Sequence, residues 1–208
     1  VDLFESQLEF EDFPYPLQNC TGQFIFSHDS EKDVDLLRIQ QLRGNGVAGG
    51  PNANSVVEIN GIIGPFEKGG PGIDVHVSGS NISSEPILRE RFPRDVANAV
   101  NLFGPPDYGH RLAATGAKEI ELSGEEAHAW PQFSGDFDVW VKRDAGWYKR
   151  VDTHVQLRLK SATGTLKIFP YPMHNISAVV DIYNDHLEIR DLRMNHNGAT
   201  LELDGSVG

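Results

Sequence analysis

The chain has 208 residues, 39% hydrophobic and 23% charged, with a formal net charge of −12. That balance fits a folded chain of one large or two small domains and excludes a disordered one. The acidic excess argues against a nucleic-acid partner, because phosphate binding needs a basic surface.

Residues 8–13 read as a short strand leading into Phe13-Pro14-Tyr15-Pro16. Each proline removes a backbone donor, so this corner is expected at a sheet edge or turn. From Cys20 the alternation is clean, with Cys20, Gly22, Phe24 and Phe26 on one side and Thr21, Gln23 and Ile25 on the other. One apolar face at period two predicts a half-buried antiparallel strand. Asn19, Asn81 and Asn175 each open an Asn-x-Ser/Thr triplet that matches a glycosylation pattern, and they read here as turn formers. Cys20 is the only cysteine, so there is neither an internal disulfide nor a cysteine-based metal cluster.

Residues 34–42 give the next strand, with Leu37 and Ile39 facing in. The glycine-rich stretch Gly44–Asn54 is a long turn; it lacks the Lys-Ser/Thr ending of a phosphate loop. Strands follow at 55–63 and 72–80, where Ile73, Val75 and Val77 oppose Asp74, His76 and Ser78. The period then changes. Ser83 or Ser84 is a plausible N-cap, Glu85 and Pro86 suit a first turn, and Leu88, Phe92, Val96 and Val100 form a helical stripe, broken at Pro93. These four side chains are expected against the apolar face of the sheet. Residues 104–132 are weakly patterned, with one candidate strand at Lys118–Leu122. From Phe133 the strands resume: Phe137, Val139 and Val141, a turn at Asp144-Ala145-Gly146, then Val155, Leu157 and Leu159.

Phe169-Pro170-Tyr171-Pro172-Met173-His174-Asn175 then repeats Phe13-Pro14-Tyr15-Pro16-Leu17-Gln18-Asn19, 156 residues on. Ile39, Leu42 and Arg43 return as Ile189, Leu192 and Arg193, at an offset of 150. Val57-Glu58-Ile59-Asn60-Gly61 returns as Leu201-Glu202-Leu203-Asp204-Gly205, at 144. This internal repeat organises the chain as a β-repeat unit (1–82), a helical crossover (83–103), an insertion (104–132) and a second β-repeat unit (133–208).

No catalytic constellation emerges. The eight histidines form no ligand-spaced pair, no nucleophile elbow or nucleotide loop appears, and Glu125 and Glu126 are neighbours rather than a facing pair. The expectation is a chain that is not an enzyme and needs no metal or cofactor. What the sequence offers instead is a face. A helix of about 18 residues is roughly 27 Å long and about 10 Å wide, so it shades about 270 Å². A five-stranded sheet with eight residues per strand covers roughly 620 Å². The remainder must meet a curled continuation of the sheet, a partner or an apolar ligand. The candidate groove residues are Phe24, Phe26, Ile39, Val57, Ile59, Val75, Val180, Ile182, Ile189, Leu201 and Leu203. Glu58, Asp74, Glu188, Arg190, Glu202 and Asp204 are expected on the opposite side.

The ordered series of Phe-Pro-Tyr-Pro, a strand, an Ile-x-x-Leu-Arg run, a glycine turn and Leu-Glu-Leu-Asp-Gly resembles the repeat units of AsmA-like proteins, the superfamily that includes the TamB and YhdP types. Ser78-Gly79-Ser80-Asn81-Ile82 followed by Phe92-Pro93-Arg94-Asp95-Val96 resembles their strand-to-helix crossover. The resemblance spans most of the chain outside the insertion. It implies a mainly β fold: a curled, groove- or taco-like antiparallel repeat sheet, with one short broken helix over part of the apolar face. It also implies a bacterial periplasmic location, with inner-membrane attachment through parts outside this segment. The function implied is bridge-like phospholipid transport or outer-membrane maintenance, with acyl chains as partners. The start at Val1 and the strand-like Val207-Gly208 add the expectation of an excerpt from a polypeptide that continues on both ends. The competing expectation is a structural or adhesive β-repeat module with a sealed core and no ligand.

Overall fold

The computed structural model describes residues 1–10, 13–90, 101, 103–130, 132–146, 150–167, 169–196 and 198–207. The protein is mainly β, with 67% of the described residues in strands. Among the described residues, eleven strands form one antiparallel sheet that does not close. They are β1 (Asp2–Phe10), β2 (Phe13–Asp29), β3 (Val34–Asn45), β4 (Val56–Glu67), β5 (Gly70–Ser83), β6 (Phe103–Gly104), β7 (Gln132–Arg143), β8 (Asp152–Leu166), β9 (Phe169–Ile182), β10 (Leu187–His196) and β11 (Ala199–Val207). Spatial order follows chain order, except that β6 pairs with β8 off the main path and β5 lies directly against β7. Short helices α1 (Pro86–Arg89), α2 (Tyr108–Thr115) and α3 (Gly124–Ala129) occur between β5 and β7.

The repeat is reproduced pair by pair. Phe24 opposes Ile39 and Val180 opposes Ile189; Gln18 opposes Asn45 and His174 opposes Asn195. Leu42 opposes Ile59 as Leu192 opposes Leu203, and Arg43 opposes Glu58 as Arg193 opposes Glu202. The match extends back into β1 and β8, where Leu8–Leu17 corresponds to Gly164–Met173 and Ser6–Cys20 to Ala162–Ile176. The proline pairs follow the same logic. Pairing of β2 with β3 starts at Gln18, and that of β9 with β10 at His174. Pro16 and Pro172 therefore sit where the strand has a neighbour on one side only, and a missing donor is tolerated there.

The asparagines depart from expectation. Asn19, Asn81 and Asn175 are not turn formers: they lie inside continuous strands with φ of 53°, 56° and 51°. Each is a left-handed residue in an otherwise extended strand, and asparagine tolerates that conformation better than most side chains. Glu5, Gln41 and Asp191 do the same on β1, β3 and β10. Register shifts accompany them, so the sheet carries a row of β-bulges. A neighbouring side chain secures three of the freed amides: Gln41 N–H donates to Asn60 Oδ1 (2.8 Å), Asn81 N–H to Asp136 Oδ1 (3.0 Å) and Asp191 N–H to Asp204 Oδ1 (2.7 Å). Bulges bend and twist a strand, and a row of them bends the whole sheet along one line. The buried core gathers at that line. Cys20, Leu42, Ile82 and Ile176, each immediately after a left-handed residue, are 8% exposed or less.

Two further expectations need correction. Lys118–Leu122 is not a strand; it runs between α2 and α3, where the Ile120 backbone is held by the buried Tyr108 hydroxyl. The N-cap position of the crossover helix is Glu85, not Ser83 or Ser84; its side chain makes no cap bond, and the described part of the helix is the single turn Pro86–Arg89. Leu88 is buried with Tyr15, Leu17 and Leu42 in the first core cluster. Phe92, Val96 and Val100 lie outside the described residues.

Candidate functional site: an apolar sheet face

In an antiparallel sheet, laterally opposed residues share a face. The register therefore draws the apolar face as ribbons running across the strands. Leu42, Ile59, Val77, Val139, Val155, Ile182 and Leu187 are successive partners from β3 to β10. A second ribbon runs Gly44, Val57, Gly79, Phe137, Leu157, Val180, Ile189 and Gly205. The Phe137 ring lies over Gly79, where an added Cβ would come within 2.3 Å of it. A third runs Phe24, Ile39, Gly61, Val75 and Val141. No charged residue interrupts any of the three.

All eleven candidate groove residues fall on this face, but their burial is uneven. Ile39, Val57 and Ile59 are buried; Phe24, Val75, Val180, Ile182 and Ile189 are half-buried. Phe26 is 71% exposed at its outer end, and Leu201 and Leu203 are 53% and 47% exposed on β11. The principal contacts among the described elements join adjacent strands, with α2 against β9 and α1 against α3. Packing is tight along the bulge line and opens away from it. Leu42, Val77, Phe137, Val139, Val155, Leu157 and Leu187 belong to the same wall, although sequence reasoning left them out of the candidate set. Their alternation was visible; their lateral alignment was not.

At one end of the face the core closes over polar groups. Tyr15 Oη and Asn52 Nδ2 both donate to Glu85 Oε1, and Asn52 also bonds both backbone groups of Ser83. Burial, reinforced by the Glu85 carboxylate, pushes the Tyr15 hydroxyl well up. This knot ties the glycine-rich loop, β2 and α1 together, and each buried polar group is answered by another.

The opposite face is polar, as expected for Glu58, Asp74, Glu188, Arg190, Glu202 and Asp204. Its organisation was not foreseen. His76, Trp140, His154, Tyr183 and His186 stack ring on ring across β5, β7, β8 and the β9–β10 turn, with centroids 5.0, 4.8, 4.5 and 4.4 Å apart. The spacing is that of neighbouring strands, because His76, Trp140 and His154 are direct register partners. Below the rings, Asp138 is bonded by His76 and Arg158, and Asp181 by His154, Gln156 and Arg190. Burial alone would push both carboxyls up, but these donors outweigh it and hold both below the usual carboxylate range. The stacked rings cover one another's faces, so they stiffen the sheet rather than offer a flat platform to a ligand. Among the described residues, no group of three or more His, Cys, Asp or Glu side chains could hold a metal ion.

No family model, curated protein or solved structure matches the chain. No helix among the described residues is long and apolar enough to cross a membrane.

Proposed function

We propose that the chain is a segment of an AsmA-like envelope protein whose apolar sheet face holds phospholipid acyl chains. The observation that carries this reading is the unbroken ribbon from Leu42 to Leu187, half-open along most of its length. Six strand spacings make it about 29 Å long, close to the thickness of the hydrocarbon core of a bilayer, about 30 Å. An acyl chain gains about 0.8 kcal/mol for each methylene it moves from water to such a wall. The ribbons are aliphatic and aromatic, and the buried polar groups Tyr15, Asn52 and Glu85 bond one another at one end of the face, which suits passage better than storage. The three ribbons themselves carry no charge; ion pairs and the ring stack on the other face keep the sheet rigid. In this reading the protein works in the bacterial periplasm, attached to the inner membrane through parts outside this sequence. It contributes to phospholipid transport or outer-membrane maintenance without catalysis.

The test is native mass spectrometry of the purified chain after expression in a bacterial envelope. Phospholipid masses should accompany the protein and disappear in Val180→Asp, with only a modest shift in the urea midpoint, since Val180 is partly packed by protein. A wild type free of lipid, together with a Val180→Asp variant that fails to fold, would establish the sealed structural module instead.

A further inference from the structure

The polar faces of the two repeat copies differ at one turn. Ile182–Leu187 and Phe26–Leu37 are equivalent register pairs, so Tyr183 and His186 stand where the first copy has Ser27 and Leu36. Only Tyr183 and His186 extend a column of rings, which runs His76, Trp140, His154, Tyr183 and His186 with successive planes within 18° of parallel. β5, β7, β8, β9 and β10 each have a strand on both sides, so the column does not depend on where the sheet stops. Imidazoles alternate with the electron-rich rings of Trp140 and Tyr183, and His154 has one of these on each side. The face of such a ring attracts a cation held within about 6 Å of its centroid, and neighbouring rings in the column are 5.0 Å apart or closer.

Each imidazole is also bonded at its edge to a carboxylate. His76 Nε2 meets Asp138 Oδ1 (2.8 Å), His154 Nε2 meets Asp181 Oδ1 (2.7 Å) and His186 Nδ1 meets Asp185 Oδ1 (2.7 Å). An ionised carboxylate only accepts, so that ring nitrogen carries a hydrogen, and the other nitrogen is the one that gains or loses a proton.

We propose that this column is an acid-responsive brace. Its histidines take up protons as pH falls from about 8 to about 5.5, and the imidazolium rings then hold β5, β7, β8 and the β9–β10 turn together more tightly than the neutral rings do. The surroundings favour the cation. On one flank Asp74, Lys142 and Asp152 form a register row. On the other, Asp138, Asp181 and Glu188 lie with Arg158 and Arg190. At the turn Asp185 faces Arg150, and on β4 Glu58 is paired with Arg43. Carboxylates outnumber cations there, and opposite charge nearby stabilises a charged ring. The arginines do not displace the histidines, because each takes the other carboxylate oxygen: Arg158 bonds Asp138 Oδ2 and Arg190 bonds Asp181 Oδ2. Despite burial, their donors hold the Asp138 and Asp181 carboxyls below the usual range, and the His186 ring does the same for Asp185. All three are therefore still anions in the mild acid where histidine becomes a cation. The first copy supplies the contrast: His28 lies beside Asp33 and Asp35, but among the described residues no ring stacks on it. The brace does not depend on lipid carriage.

The intact chain reports on the column in two ways. Trp140 lies between His76 and His154, and imidazolium quenches indole emission. The Trp140 contribution, taken as wild type minus Trp140→Phe, should fall about twofold between pH 8 and pH 5.5. Amide exchange in β7 and β8, corrected for the unfolded rate at each pH, should slow about threefold more over that range than exchange in β2 and β3. The double variant His76→Phe/His154→Phe keeps a ring on both faces of Trp140 with nothing beside it to protonate, and should lose both responses. Should that variant fail to fold, the wild type still decides by NMR, since the Cε1 resonances of His76 and His154 must move over the same pH range as the emission and the exchange. Wild-type emission or β7–β8 protection that does not respond to acid, a response kept in the double variant, or histidine resonances that stay still while the other signals move overturns the brace.

Discussion

The first and second copies of the strand series, β1–β4 and β8–β11, share register and bulges yet do not bury the same side chains. Leu42 is 1% exposed and Leu192 is half-buried, although each follows a left-handed residue and faces an aliphatic partner. A strand's own sequence sets which side chains share a face. How deeply they are buried is set by the strands and loops beyond its immediate partner. In the first copy, β5, α1 and the glycine-rich loop close over the bulge line. At β11 no described strand lies beyond the edge.

The contrast has an energetic form that can be broken. Leu42→Ala should cost about 3 kcal/mol, as a fully packed leucine does when it leaves a cavity. Leu192→Ala should cost about 1 kcal/mol, because part of its surface already meets solvent. Urea denaturation of the two variants measures the difference directly. Equal costs would mean that the geometric asymmetry between the copies has no energetic counterpart.

The polar faces differ more sharply, and pH sharpens that comparison. Asp181 stands where the first copy has Ile25, a 36% exposed residue opposite Arg38. The Asp181 carboxyl is 1% exposed and accepts from His154, Gln156 and Arg190. Those donors overcome the upward push of burial, so its folded-state value lies below the unfolded carboxylate value of about 3.9. The resulting stabilisation is complete above the unfolded value and is lost as pH falls through the lower, folded one. Asp181→Asn should cost about 2 kcal/mol at neutral pH and flatten the acid limb of the stability curve. Urea midpoints from pH 7 down to pH 2 give both quantities, and an unchanged acid limb would mean that the cluster contributes nothing.

Much of this organisation was legible from the alternation of residues such as Phe24, Ile39, Val57 and Val75, since period two assigns a face without knowledge of neighbours. The internal repeat, read from Phe-Pro-Tyr-Pro onward, survived in the register itself. What escaped was lateral. His76, Trp140 and His154 were each visible on the polar side of a strand, but only the pairing of β5 with β7 and of β7 with β8 makes them one stack. Asn19 and Asn175 looked like turn residues because the property that suits them to turns, tolerance of positive φ, also suits them to bulges. Lys118–Leu122 misled in the other direction. Its alternation is real, yet among the described residues no strand pairs with it, and the Ile120 backbone bonds the Tyr108 hydroxyl instead.

The finest comparison is between the two ion pairs that mark equivalent places in the repeat. Arg43 Nε lies 3.7 Å from Glu58 Oε1, and Arg193 Nε lies 3.4 Å from Glu202 Oε1. All four side chains are at least half exposed. Exposed pairs of this kind gain little Coulomb energy in water, and they give up side-chain freedom to hold one geometry. A double-mutant cycle at each site should therefore return about 0.5 kcal/mol or less, and the value should fall further in 1 M salt as the charges are screened. The two couplings should also agree with each other, since the pairs share register and exposure while the strands beyond them differ. A coupling at Arg43–Glu58 well above that at Arg193–Glu202 would mean that β5, which pairs with β4 and has no described counterpart beside β11, strengthens the pair from its far side. The burial asymmetry between the copies would then reach the solvent face of the sheet, and would no longer be confined to the apolar one.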